Sequence, residues 1–147
     1  MNEIKFLGTA GARFVVTKQL RKSGGLWFNI NNTKFLIDPG PGSLVRCLSS
    51  KPKIIPIDLN GIILTHRHID HSNDINIMIE AMTNGGFNKK GIVFAPYDSI
   101  EKDPVILKYL RNYLEKIEIL KEKKLMKLTI YHLKPRLNIY MALKHMD

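Results

Sequence analysis

The feature that most constrains this chain is a short apolar run that leads straight into histidines. Gly61-Ile62-Ile63-Leu64 has no polar face, so it reads as a strand buried on both sides. Such a strand needs structure above and below it, which points to α/β layers around one sheet. Thr65-His66-Arg67-His68-Ile69-Asp70-His71 follows at once, and puts three of the 5 histidines and a carboxylate within six residues. Where a chain leaves a strand still extended, residues i and i+2 point the same way, so His66 and His68 can converge. Asp70 and His71 come as the chain turns into a helix expected to begin near Ser72, whose positive end favours an ionised Asp70. Imidazole nitrogens and a carboxylate oxygen suit zinc, and also iron or manganese.

The flanking segments fit a layered fold. Ile4 to Leu7 reads as a strand closed by Gly8-Thr9-Ala10-Gly11, and Leu26–Phe28 and Thr33–Ile37 as a hairpin around Asn29 to Asn32. Asp38-Pro39-Gly40-Pro41-Gly42 stops the second of these strands, and Ser43 is placed as the N-cap of a short helix. Ile75, Met78, Ile79 and Met82 recur at helical spacing up to Asn84-Gly85-Gly86. Gly91 to Ala95 reads as another buried strand, stopped by Pro96. Pro104 is expected to open an amphipathic helix that carries Val105, Ile106, Leu107, Leu110 and Leu114. With no repeat and no linker, one domain over residues 1–147 is expected.

Composition narrows the classes. At 44% hydrophobic the chain is not a disordered tail, and a lone Cys47 excludes a disulfide framework or a Cys-rich zinc module. No apolar run nears the ~20 residues needed to cross a bilayer, and the start lacks a signal-peptide layout. A soluble, cytoplasmic protein with no membrane partner is expected. A net charge of +10 invites a polyanion. Between Lys108 and Lys127, however, the lysines alternate with Glu115, Glu118 and Glu122, which reads as a solvated, ion-paired face. Tyr109 and Tyr113, four apart, are expected to pack inward.

His66-x-His68-x-Asp70-His71 resembles the H-x-H-x-D-H signature of the metallo-β-lactamase superfamily. Phe6-Leu7-Gly8-Thr9-Ala10-Gly11 is similar to that family's opening strand and glycine turn, and Phe35-Leu36-Ile37-Asp38-Pro39-Gly40 to the strand that supports the metal site from behind. The resemblance covers approximately Ile4 to Tyr97. It implies an αββα sandwich with one or two metals at the sheet edge, zinc or else iron or manganese. By the same resemblance His66 and His68 would hold the first metal, and Asp70 and His71 the second. Asp70 would also act catalytically by orienting the attacking water, while Asp38 orients histidines without binding metal. The implied activity is hydrolysis of an ester, thioester or phosphodiester in a small-molecule or nucleic-acid substrate. A tRNA 3′-processing endonuclease is the rival reading. It shares the Phe-Leu-Gly-Thr opening, but Ile69 and Ser72-Asn73-Asp74 stand where many such nucleases carry glycines. A non-catalytic remnant is the third.

The pattern breaks downstream. The family's third histidine, bridging aspartate and last histidine have no recognisable counterpart: only His132 and His145 follow His71, and only Asp147 follows Asp103. The chain thus resembles the N-terminal part of the sandwich with the second half largely missing, a state expected to leave apolar sheet surface open to self-association. Codons allowed for Lys134 to Asp147, read from each third base, permit T-x-I-K-H-x-Y-G-I-K-T-Y-G, which is similar to the family's third-histidine segment. A frameshift is the reading this suggests.

Overall fold

A computed structural model describes residues 2–120 and, as backbone strands, Met126–Ile130 and Leu137–Met141. Six strands, β1 (Glu3–Phe6), β2 (Leu26–Ile30), β3 (Thr33–Ile37), β4 (Gly61–Ile63), β5 (Ile92–Pro96) and β6 (Lys116–Leu120), form one sheet in chain order. The first three are antiparallel; β3 to β6 run parallel. β7 (Met126–Ile130) and β8 (Leu137–Met141) form a separate antiparallel pair. The β2–β3 connection is tighter than the sequence suggests. Asn29 and Ile30 join the ladder opposite Lys34 and Thr33, leaving Asn31 and Asn32 at φ 50° and 63°. Asparagine tolerates that left-handed conformation, which matches the twist of a two-residue hairpin.

β4 is buried at all positions, as an apolar strand lacking a polar face must be. One face of the sheet packs Trp27, Leu36, Ile62, Leu64 and Val93 against Cys47 of α2 (Ser43–Ser49) and Ile75, Met78 and Met82 of α4 (Ile75–Met82). The other buries Phe28, Phe35, Ile63, Phe94 and Leu120, with the Phe28 and Phe35 rings stacked at 5.6 Å. Among the described residues of the six-stranded sheet, the large apolar side chains left exposed are Ile4 and Phe6 of β1, at 59% and 71%. Among the described residues, no helix is long and apolar enough to cross a membrane.

Four local expectations need correction. The helix opened by Pro104 shrinks to Lys108–Arg111, because Leu107 keeps an extended backbone and residues 116–120 instead complete a parallel ladder with β5. Tyr109 is exposed, and only Tyr113 packs on the core. Gly42, at φ 87°, is the N-cap of α2, while Ser43 is its first helical residue and donates its hydroxyl to the Gly24 and Gly40 carbonyls. Pro96 ends β5 inside the ladder, opposite Leu120, where a strand's last residue can dispense with its N–H.

Candidate metal centre

Parallel pairing brings the carboxyl ends of β3 and β4 to one edge: Ile37 lies opposite Ile63, and the Asp38 N–H donates to the Ile63 carbonyl at 2.8 Å. Asp38 sits at φ 50°, a left-handed backbone that few side chains other than Asn and Asp accept. Its carboxylate organises the next segment. Oδ1 accepts the Thr65 backbone N–H at 2.7 Å, and Oδ2 accepts the Thr65 hydroxyl at 2.7 Å. Having donated its only proton, Thr65 Oγ1 can only accept from His66 Nδ1, 3.0 Å away. The carboxylate of Asp38 can likewise only accept from His71 Nδ1, also at 3.0 Å. These bonds assign both histidines the Nδ1–H tautomer. In its neutral form each ring therefore keeps a lone pair on Nε2.

The rings gather. His66 lies 4.0 Å from His71 and 4.8 Å from His68, centroid to centroid. The Asp70 side chain is 7% exposed, with Oδ2 3.5 Å from His71 Nε2. Its other oxygen, Oδ1, is buried with no hydrogen-bond partner, a costly state for an anionic group. Two imidazole lone pairs beside an unsatisfied carboxylate oxygen are the chemistry a divalent cation requires. The gathering stops short of a finished cage: among the described residues, no three His, Cys, Asp or Glu side chains focus on one cation position. Imidazole here packs against imidazole, and Asp70 leans on His71. His132 and His145 lie outside the described residues.

The helix after the histidines starts earlier than expected. α3 (Ile69–Ser72) puts Asp70 in its first turn, and the chain restarts at Ile75 as α4. The loop after Asp38 fixes this segment from below: Pro39 accepts the Asp74 N–H at 2.8 Å, and a Cβ at Gly40 would overlap the Asp70 carbonyl oxygen. Two participants were not singled out in the sequence. Thr65 links Asp38 to His66, a role that requires knowing which strand ends beside it. Arg67, between the histidines, pairs with Asp98 at 3.3 Å and with Asp103, partners more than thirty residues away.

The site shifts its histidines in opposite directions. Burial, with His71 close by, pushes His66 below the ordinary value of 6.5; the hydrogen bond to Asp38 raises His71 despite burial. His71 therefore contributes stability that is full at acid pH and is lost as pH rises through its folded pKa. His66 acts oppositely, destabilising the fold as pH drops below 6.5. In an NMR titration of the cation-free protein, His71 is expected to titrate above His66, and Asp38→Asn to lower His71. Coincident midpoints would contradict the hydrogen-bond assignment.

A mixed sheet with a helix-covered face, and a His-x-His-x-Asp-His loop at its carboxyl edge, define a class of layered α/β domain. Within that class the chain belongs to the beta-lactamase superfamily: the family described as "Beta-lactamase superfamily domain" matches residues 33–135. Its six-stranded sheet corresponds to the N-terminal portion of that fold. An uncharacterised protein of Methanocaldococcus jannaschii is 34% identical over 122 residues, 80% of this chain and 45% of its own. Ribonuclease Z of Clostridium botulinum is 32% identical over 122 residues, 81% of this chain and 37% of its own. The chain thus spans less than half the length of these curated relatives. The metallo-beta-lactamase fold protein YhfI from Bacillus subtilis superposes with TM-score 0.60 at 17% identity, covering 95% of this chain and 56% of that one. Human tRNase Z, short form, superposes with TM-score 0.52 at 21% identity, covering 66% and 34%. At these identities the structural likeness is one of fold.

Proposed function

We propose that His66, His68, Asp70 and His71 are the first half of the metal-binding set of a metal-dependent hydrolase site. His66 and His68 face one cation, Asp70 and His71 a second. Zinc suits them best, with iron or manganese as alternatives. The observation that carries this reading is the pair of Nδ1 contacts, His66 with Thr65 and His71 with Asp38, beside the unpartnered Asp70 Oδ1. When bound, zinc would supply Lewis acidity and a water of pKa about 7. The chain's own residues do the rest. Asp38 holds the His71 ring in orientation, and Asp70 would orient the attacking water. A cavity of about 230 Å3 opens beside them, lined by Phe6, Gly8, Gly25, Asp38, Asp70 and His71 among others. It offers room for an acyl or phosphoryl group, so an ester, thioester or phosphodiester is the substrate class. RNA is the second reading, favoured by the identity to ribonuclease Z and the charge of +10.

Cytoplasmic residence belongs to this proposal, as does self-association through the exposed Ile4 and Phe6 of edge strand β1. Four donors among the described residues do not complete two cation sites, so this chain is expected to turn over little. With added zinc, hydrolysis of bis(p-nitrophenyl) phosphate or a p-nitrophenyl thioester should match the protein-free rate. Ready turnover abolished by His68→Ala would contradict that.

A further inference from the structure

The helix-covered face holds a second cavity, at the end of the sheet opposite Asp38. Its volume is about 200 Å3, and its lining includes Lys5, Trp27, Asn29, Lys34, Lys53 and Asp58. The ladder explains why they meet. Lys5 lies opposite Trp27 across β1 and β2, and Asn29 opposite Lys34 across β2 and β3. Trp27 and Asn29 are two apart, so both point to the same face. Lys34 stands near the start of β3 and Asp38 just past its end, about 13 Å along the strand. The two cavities share no residue.

Trp27 is only 6% exposed, yet its indole Nε1 is buried without a hydrogen-bond partner, and so is Asn29 Oδ1. One is a donor and the other an acceptor. Unpaired buried polar groups cost about 1–3 kcal/mol each, and native interiors rarely leave two on one cavity wall. Apolar side chains would pack there without that cost, so the pair calls for a partner from outside the chain. The charge of the rim says which kind. Three lysines face a single lining carboxylate, Asp58. Lys34 Nζ is paired with Asp58 at 3.0 Å. Lys5 Nζ donates to the Lys51 and Pro52 carbonyls, both at 3.2 Å, and lies 3.7 Å from a Glu3 carboxylate oxygen, too far for a hydrogen bond, so the ammonium has a third N–H to give.

We propose that this cavity binds a small hydroxylated anion, independently of the histidine site. Its phosphate or carboxylate lies against Lys5 and the lysine rim, with one oxygen accepting the Trp27 indole N–H. Its hydroxyl donates to Asn29 Oδ1. Both protein atoms lie beneath the reach of solvent, so lining side chains must yield as the ligand enters. The volume is below the ~300–1,000 Å3 of pockets for drug-sized molecules, which keeps the ligand small.

Trp27 is the only tryptophan, so the single indole N–H resonance reports on this cavity alone. The full chain is titrated with glycerol 3-phosphate and with glycerate, and separately with inorganic phosphate and with glycerol. A saturable shift of the indole resonance with either hydroxylated anion is expected, weakened about tenfold or more by Lys5→Met and by Asn29→Leu. His68→Ala should leave it unchanged. Either variant serves if the other fails to fold. No saturable shift up to about 10 mM would overturn the proposal, as would equal binding of glycerol, which removes the anion, or of inorganic phosphate, which removes the alcohol hydroxyl. Binding lost in His68→Ala would assign the ligand to the histidine site, and overturn it too.

Discussion

Gly40→Ala is expected to destabilise the fold by about 3 kcal/mol or more and to dislodge Asp70. The added Cβ would overlap the Asp70 carbonyl oxygen, with the Asp70 carbonyl carbon and the His71 Cα next in line. These are backbone atoms, which cannot rotate away. The loop cannot retreat either, because Gly40 O accepts the Ser43 hydroxyl at 2.7 Å and Pro39 O holds the Asp74 N–H. Gly11 is the control. Nothing lies within 4 Å of its Cβ position, so Gly11→Ala should change stability by no more than about 0.5 kcal/mol. Urea unfolding of the two variants measures the difference. Equal stabilities would mean that the Asp38–Gly42 loop does not press on α3.

Asp38→Ala is the second large effect, expected to cost about 3–5 kcal/mol by the same measurement. The substitution removes the acceptor for the Thr65 N–H, the Thr65 hydroxyl and His71 Nδ1 together. It also leaves alanine at φ 50°, where its Cβ is less tolerated than a short polar side chain. Asp38→Asn separates these causes. It keeps one oxygen acceptor and the backbone preference, so it should cost about 1–2 kcal/mol. Zinc affinity should fall about 10–100-fold in both, because His71 loses its orienting carboxylate. An Asp38→Ala protein as stable as the parent would remove Asp38 from the support of the site.

Much of the sheet was legible because its strands are bounded by residues with physical reasons to stop them. Asn31-Asn32 forces a reversal, Asp38-Pro39-Gly40-Pro41-Gly42 ends a ladder, and Gly61 to Leu64 can only be interior. The failures came where tertiary pairing outweighs local pattern. Val105 to Leu114 repeats at helical spacing, but the free edge of β5 draws residues 116–120 into a strand, so the helix has only four residues. The histidine cluster was visible as residue types at a strand end. The Asp38–Thr65–His66 chain of bonds was not, since it depends on β3 and β4 being parallel neighbours. Likewise, nothing in the sequence distinguishes Trp27 and Asn29 from ordinary strand residues until the ladder sets lysines opposite them.

The most direct measurement is zinc retained by the purified 147-residue protein after dialysis, compared with a His66→Ala/His68→Ala variant. About one equivalent or more should stay with the parent, and near none with the variant. A parent that holds no zinc, or a variant that holds as much as the parent, would show that these imidazoles and Asp70 are not a cation site.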